Sequence, residues 1–190
     1  MATGLLGGSF DPVHVGHLVA ADRAAEALGL ERVTFVPCAR QPLKATGPVA
    51  SGAHRLAMLE LAVAGHRPFA VDPIELDRDG TGPSYTVDTL RALQARRPGE
   101  RLVLLLGADA AADLPRWRAV QEVVRLAEVA VLTRPGAPEP ARGLVRHVVA
   151  TPAIEISASD IRARCLAGKS IRYLVPDGVA DYIERNGLYR

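Results

Sequence analysis

The sequence has few cysteines, almost no charge excess and no long apolar run. Its 190 residues include two cysteines, Cys38 and Cys165, and neither has another Cys or a His at the spacing of a metal site. We expect both to be reduced thiols. No segment holds about 18 uninterrupted apolar residues, and the first residues lack the basic stretch of a signal peptide. These absences predict a cytoplasmic protein that does not bind a membrane.

The charge balance argues against a large polyanionic partner. The chain has 23 basic and 21 acidic residues and a formal net charge of +2, so no broad basic surface for duplex nucleic acid is predicted. Two common phosphate-binding patterns, G-x-G-x-x-G and G-x-x-x-x-G-K-[ST], are also absent. We therefore expect no nucleic-acid partner, and any polyanion that binds should be small.

Length and apolar content predict one globular domain over residues 1–190. Apolar residues make up 48% of the chain, which is enough for one sizeable core. Short apolar runs alternate with amphipathic ones, and this alternation predicts an α/β fold with a doubly wound parallel sheet. In such sheets, ligands bind at the carboxyl ends of strands near the switch in strand order. The predicted strands are 4–7, 32–37, 69–72, 101–106, 128–133 and 145–151, and the predicted helices are 16–28, 52–64, 85–97 and part of 110–126.

Three further details of the fold are predicted. Ser84 is the expected cap of the helix over 85–97, and Pro115 is expected to break the helix over 110–126. The nearly unbroken apolar runs 101–106 and 128–133 are expected to flank the middle of the sheet, because such runs are typical of parallel strands covered on both faces. The last forty residues are predicted to be mainly helical.

The most informative stretch follows the first predicted strand. Gly7 and Gly8 let the backbone bend and approach a ligand, and the helix that starts next offers unpaired N–H groups to a phosphate. His14 and His17 lie three residues apart at that helix start, so both can reach one polyphosphate. Imidazole donates to phosphate oxygens and gains a positive charge easily when an anion raises its pKa. The alternative is that Gly7 and Gly8 form a turn, that His14 and His17 are solvated residues at the helix start, and that Asp11-Pro12 only shapes the loop.

A second stretch, residues 156–162, reads Ile-Ser-Ala-Ser-Asp-Ile-Arg. It begins a predicted helix with two hydroxyls at the start and Arg162 about one turn inside. Such a helix end can bind an anion, and a guanidinium adds a fork of donors for phosphate. The alternative is purely structural, with Ser159 or Asp160 capping the helix.

The first stretch, Gly8 through His17, resembles the His-x-Gly-His motif of the nucleotidyltransferase superfamily in its adenylyltransferase form. The second resembles the superfamily's Ile-Ser-x-[Ser/Thr]-x-Ile-Arg signature. The resemblance implies a Rossmann-like nucleotidyltransferase fold and catalytic roles for His14, His17 and Arg162. The ATP-binding residues that it implies are Gly7, Gly8, Ser9, Phe10, His14, Gly16, His17, Ser157, Ser159, Ile161 and Arg162.

A narrower resemblance, to the bacterial nicotinate mononucleotide adenylyltransferases, runs nearly from end to end. It rests on Gln41-Pro-Leu-Lys44, His54-Arg55-Leu-Ala-Met58, Pro83-Ser-Tyr-Thr86, Gly107-Ala-Asp109, Leu114-Pro-Arg-Trp117 and the terminal Gly187-Leu-Tyr-Arg190. Three positions depart from the family pattern: Ser9 stands where Thr is usual, Leu43 where His is common, and Arg118 where an aromatic residue is frequent. The nicotinate-nucleotide-binding residues that the resemblance implies are Lys44, Ser84, Tyr85, Thr86, Gly107, Asp109, Trp117 and Arg134.

The residues themselves leave alternatives open at three of these positions. Trp117 can be a platform for a pyridine ring or a filler of the core. Asp109 can face the ligand crevice or cap the next helix. Arg134 can bind phosphate or form a surface salt bridge.

The resemblance implies that ATP and nicotinate mononucleotide give nicotinate adenine dinucleotide and pyrophosphate. Mg²⁺ is expected to bind mainly through the ATP phosphates, because the sequence shows no all-protein metal cage. Two rival functions are a phosphopantetheine adenylyltransferase, which shares the first motif, and a nucleotide sensor without turnover. The sequence leaves formation of a homo-oligomer open.

Overall fold

A computed structural model describes residues 2–42, 46–77, 82–134 and 143–190. Within them the chain forms an α/β fold around a six-stranded sheet in which all strand pairs are parallel. None of the helices in these ranges has the length and apolarity to cross a membrane. The strands are β1 (Ala2–Gly8), β2 (Arg32–Pro37), β3 (Phe69–Val71), β4 (Arg101–Gly107), β5 (Glu128–Thr133) and β6 (His147–Ala150). The helices are α1 (Val15–Leu28), α2 (Gly52–Val63), α3 (Thr86–Arg96), α4 (Ala108–Asp113), α5 (Val120–Leu126), α6 (Ala158–Leu166) and α7 (Asp177–Arg185), with a 3-10 turn at Leu114–Arg116.

The strand order is β3-β2-β1-β4-β5-β6, so the order reverses between β1 and β4. Gly4 of β1 lies opposite Val33 of β2 on one side and Val103 of β4 on the other. The expectation that the strands over 101–106 and 128–133 flank the middle of the sheet is therefore wrong, because β1 and β4 are central and β5 lies next to β4. The carboxyl ends of β1 and β4 mark the crevice in which such folds bind ligands.

Both faces of the sheet are covered by helices, as the apolar runs indicate. In β4, Val103 and Leu105 face the core that contains α1, α2, α6 and α7. Leu102, Leu104 and Leu106 face the opposite core, which contains α3 and α5. All five are almost completely buried, which explains why this strand reads as an unbroken apolar run instead of an alternating one.

One predicted cap and several predicted boundaries differ from the structure, the boundaries by one or two residues. Ser84 is not the cap of α3, because Tyr85 occupies that position without a side-chain hydrogen bond. The Ser84 hydroxyl instead accepts from the Ala39 N–H at 3.2 Å, across the end of β2. Residues 145 and 146 precede β6 and residue 151 follows it, and α2 ends one residue before the predicted boundary at 64. The break near Pro115 is confirmed, since a 3-10 turn replaces the helix there.

Candidate active site

The loop between β1 and α1 is held from inside by Phe10. Its ring is 2% exposed and packs edge-on against the His17 ring at 5.1 Å between centroids. Its backbone is in the left-handed region, at φ 46°, which is uncommon for a bulky residue. Gly8 makes room for the Phe10 ring, because a Cβ at position 8 would lie 3.0 Å from it. Any contact of Phe10 with a nucleotide would therefore come from its backbone.

His14 and His17 form a stacked pair at the start of α1. Their ring centroids lie 3.7 Å apart at an interplanar angle of 29°, and the His14 N–H donates to His17 Nδ1 at 3.2 Å. Because that nitrogen accepts, a neutral His17 ring carries its proton on Nε2. Gly16 is required beside the pair, since a Cβ there would lie 3.1 Å from His14 Nδ1. The pair can thus present a fixed N–H donor to an anion.

Burial holds both histidines neutral at pH 7. It lowers the pKa of His14 to about 4, with a smaller contribution from the charge of Arg134. It lowers the pKa of His17 to about 3, with a smaller contribution from His14. Without an anion both rings are therefore uncharged, because burial removes the water that would stabilise a charged ring. The expected gain of charge when an anion binds stays a prediction. His14 Nδ1 is buried and has no hydrogen-bond partner among the described residues.

The second motif lies directly against this loop. Ser157 is the cap of α6, and its hydroxyl accepts from the Asp160 N–H at 3.1 Å. The cap is therefore neither Ser159 nor Asp160. Arg162, one turn inside, donates from Nη1 to the backbone carbonyl of Asp11 at 2.7 Å and from Nη2 to the Ser159 hydroxyl at 3.4 Å. The fold thus joins two stretches that are about 150 residues apart in the sequence.

Ile161 and Arg162 have different surroundings although they are neighbours. The Ile161 side chain is fully buried in the core below α1, and its N–H donates to the Ser157 carbonyl inside the helix. Ile161 therefore fixes the helix in place, whereas the half-buried Arg162 presents its guanidinium at the surface of the loop.

Asp11 shapes the loop, as the alternative in the sequence analysis has it, but its partners in three other segments were not predicted. Its buried carboxylate accepts from the Val49 N–H at 2.6 Å, the Ala50 N–H at 3.1 Å and the Tyr189 hydroxyl at 2.7 Å. Burial and the adjacent Asp11 charge raise the pKa of Tyr189, so its hydroxyl stays protonated and can donate. Lys44, a predicted nicotinate-nucleotide ligand, lies outside the described residues.

Arg55 is a second structural residue whose role the sequence did not reveal. It is 2% exposed and donates to the backbone carbonyls of Ala50, Ser9 and Cys38 at 3.2, 2.7 and 2.8 Å. It shares the buried face of α2 with Met58, three residues further on. A charged residue at helical spacing within an apolar face is the signal that could have identified it.

The residues expected around a pyridine ring come from α3, the end of β4 and the turn after α4. Trp117 and Tyr85 are half-buried and pack against the core that contains α3 and α5, so the core-packing alternative for Trp117 has direct support. Thr86 is the first residue of α3. Gly107 is the cap of α4, and Asp109 is exposed in its first turn, without a side-chain hydrogen bond to the described residues. Asp109 does not cap that helix by its side chain.

Arg134 directly follows β5, at the same edge of the parallel sheet as the histidine pair. It is exposed, and its charge contributes to lowering the pKa of His14. It forms no salt bridge with any residue in the described ranges, so the salt-bridge alternative finds no support there. The fold thus places the two motifs and Arg134 at one site.

The two histidine pKa values predict how stability depends on pH. Unfolded histidine has a pKa of about 6.5, so between pH 6.5 and about 4 the unfolded chain binds more protons than the folded one, and stability falls as the pH is lowered. We expect the pair to make the free energy of unfolding about 4 kcal/mol lower at pH 5 than at pH 7, about half of it from each histidine. Urea unfolding of the wild type and of His14→Asn/His17→Asn measures this difference.

Two controls keep this test specific. The exposed His66 serves as the matched control, since His66→Gln should keep the pH dependence of the wild type. The range from pH 5 to 7 lies above that in which most carboxylates titrate. An equal pH dependence in the wild type and the double variant would contradict the assignment.

Comparison with known proteins identifies the family. The cytidylyltransferase-like family model matches residues 5–164. A Roseiflexus castenholzii protein named "Probable nicotinate-nucleotide adenylyltransferase" is 46% identical, over 99% of this chain and 98% of its own length. A Thermus thermophilus protein of the same name is 45% identical over the whole of both chains.

Solved structures show the same fold. The Plasmodium falciparum nicotinic acid mononucleotide adenylyltransferase complexed with NaAD aligns with a TM-score of 0.78 at 17% identity, over 99% of this chain and 97% of that one. The same enzyme complexed with APC also aligns with a TM-score of 0.78. With full-length relatives above 40% identity, the chain belongs to the nicotinate-nucleotide adenylyltransferase family.

Proposed function

We propose that this protein transfers the adenylyl group of ATP to nicotinate mononucleotide in NAD biosynthesis, giving nicotinate adenine dinucleotide and pyrophosphate. The observation that carries the proposal is the stacked His14–His17 pair with Arg162 against the same loop, at the carboxyl end of a central strand. The names of the full-length relatives support the same reaction. We further propose that the protein acts in the cytoplasm as one domain, on small molecules alone.

The reaction that fits this site is a direct displacement at phosphorus. An oxygen of the 5′-phosphate of nicotinate mononucleotide attacks the α-phosphorus of ATP, and the bond to the β-phosphate oxygen breaks as pyrophosphate leaves. Holding both anions in line supplies about 7–11 kcal/mol of the barrier. The residues that we propose to bind ATP are Gly7, Gly8, Ser9, Phe10, His14, Gly16, His17, Ser157, Ser159, Ile161 and Arg162.

The protonation states favour hydrogen-bond donation over acid–base catalysis. With pKa values of about 4 and about 3, His14 and His17 are poorly matched to proton transfer near pH 7. Their N–H groups suit phosphate oxygens, and the permanent charge of Arg162 suits the negative charge that develops on the leaving group. We therefore assign His14, His17 and Arg162 to charge stabilisation and positioning.

The second substrate is proposed to lie toward α3 and the end of β4. Trp117 and Tyr85 offer aromatic surface for a pyridine ring, and the start of α3 at Thr86 favours a negative group. The exposed Asp109 and Arg134 add one group of each sign. The residues that we propose to bind nicotinate mononucleotide are Lys44, Ser84, Tyr85, Thr86, Gly107, Asp109, Trp117 and Arg134.

Mg²⁺ is proposed to arrive with the phosphates of ATP. The described residues contain no group of three or more His, Cys, Asp or Glu side chains that could hold a metal ion. Asp11 does not fit as a ligand either, because both of its carboxylate oxygens already accept hydrogen bonds. Mg²⁺ bound to ATP would supply charge neutralisation, while the residues above hold and orient the nucleotides.

Pyrophosphate release tests the proposed reaction. Purified protein with ATP and Mg²⁺ is assayed separately with nicotinate mononucleotide, nicotinamide mononucleotide and phosphopantetheine. We expect turnover with nicotinate mononucleotide to exceed that with phosphopantetheine by at least about 10³-fold, because only the pyridine nucleotide can use an aromatic platform and the start of α3 together. Turnover confined to phosphopantetheine, or none with any acceptor, would overturn the proposal.

Replacement of His17 tests the histidine pair. His17→Asn keeps an oxygen near Nδ1 to accept from the His14 N–H but removes Nε2. We expect kcat to fall by about 10²–10³, as for the loss of one oxyanion donor, with thermal stability nearly unchanged. A variant that unfolds, or one that retains full kcat, would argue that His17 is structural.

Replacement of Trp117 tests the pyridine platform. We expect Trp117→Ala to raise the KM for nicotinate mononucleotide by about tenfold and to leave the KM for ATP within about twofold, because a stacking contact is worth about 0.5–2 kcal/mol. Trp117→Phe keeps an aromatic ring and should restore most of the affinity. Equal increases in both KM values would show that Trp117 acts only through the core.

A further inference from the structure

Arg118 holds a cation over one of the proposed nicotinate-binding residues. Its guanidinium carbon lies 4.7 Å from the centroid of the Tyr85 ring. Arg118 directly follows Trp117, and both aromatic residues pack on the same core. Arg118 thus connects the start of α3 with the turn before α5, between which the pyridine ring is proposed to bind.

The charge of Arg118 is not neutralised by the described residues. Arg118 is exposed and forms no salt bridge within the described ranges, whereas nearby arginines do: Arg116 with Asp113 at 3.1 Å and Arg91 with Glu122 at 2.6 Å. The Arg118 side chain donates no hydrogen bond to the described residues, so its N–H groups are available for an anion.

The backbone next to Arg118 has an unusual conformation. Ala119 has φ 52°, in the left-handed region that a residue with a side chain adopts only when its surroundings require it. This turn sets the start of α5 immediately after Arg118. The position of Arg118 over Tyr85 is therefore part of the local fold.

The two pyridine nucleotides differ at one group of the ring. Nicotinate mononucleotide carries a carboxylate there and nicotinamide mononucleotide a neutral amide, whereas ribose and phosphate are the same in both. A cation beside the ring substituent distinguishes the two by charge. A cation beside the shared phosphate would bind both alike. The start of α3 beside Tyr85 also favours a negative group.

We infer that Arg118 is a specificity-determining residue that binds the carboxylate of the nicotinate ring and favours nicotinate over nicotinamide mononucleotide. The inference rests on the proposed function, because it requires the pyridine ring to lie between Trp117 and Tyr85. Arg118 is the cation that the structure places directly over the Tyr85 ring.

The test compares kcat/KM for the two acceptors in the wild type and three variants. In Arg118→Met we expect kcat/KM for nicotinate mononucleotide to fall about tenfold, the loss of one charge-assisted contact, and the value for nicotinamide mononucleotide to stay within about twofold. Arg118→Lys, which keeps the charge but not the planar stack, should fall between the wild type and Arg118→Met. Arg116→Met removes a like charge two residues away and should leave the ratio of the two values unchanged.

Two outcomes would overturn the inference. Equal losses with both acceptors would place Arg118 at the shared phosphate or in a structural role, and no change in Arg118→Met would show that it does not touch the substrate. Failure of the proposed function itself is distinguishable, since wild-type protein would then release no pyrophosphate with either pyridine nucleotide.

Discussion

The buried carboxylate of Asp11 is the interaction on which the rest of the site depends. It accepts two backbone N–H groups from residues 49 and 50 and the Tyr189 hydroxyl, while the Asp11 carbonyl accepts from Arg162. A buried carboxylate is stable only when such donors replace water. Residues 49 and 50 and the end of the chain are therefore fixed relative to the first motif by the Asp11 side chain, and the second motif by the Asp11 backbone carbonyl.

Arg55 is a buried cation that binds backbone carbonyls, whereas the Asp11 carboxylate binds backbone N–H groups. Its guanidinium donates to the carbonyls of Ser9 in the first motif, Cys38 just after β2 and Ala50 two residues before α2. Together, Asp11 and Arg55 satisfy the backbone groups of loops that have no regular ladder of their own. This explains how a loop with adjacent glycines can hold two histidines in one stacked arrangement.

That arrangement determines the electrostatics of the site. Burial destabilises a charged imidazole more than a neutral one, so both histidines are neutral in the protein without a ligand. The positive charge near them comes from Arg162 and Arg134. Arginine keeps its charge under burial that neutralises histidine. The site without a ligand therefore combines the positive charges of Arg162 and Arg134 with two neutral imidazoles, and the gain of charge that the sequence analysis expects when an anion binds stays a prediction.

Much of the fold followed from the sequence because local patterns decide it. The bounds of β2 and β5 agree with the apolar runs at 32–37 and 128–133, and Pro115 interrupts the helix as its missing N–H requires. The motifs are contiguous stretches, so their residues and the family that they resemble could also be recognised from the sequence. The single-domain boundary over residues 1–190 and the role of Lys44 stay predictions.

Local patterns were enough to predict most strands and helices and to point to phosphate chemistry at the motifs, because helix and strand periods, turn residues and motif spacing act over short stretches of chain. Which strands are central, what Ser84 bonds to, which partners Asp11 has and that His14 and His17 are neutral became clear from the folded chain alone. Strand order, hydrogen bonds across 178 residues and the desolvation of a ring all depend on neighbours that are distant in sequence, and no local pattern encodes them.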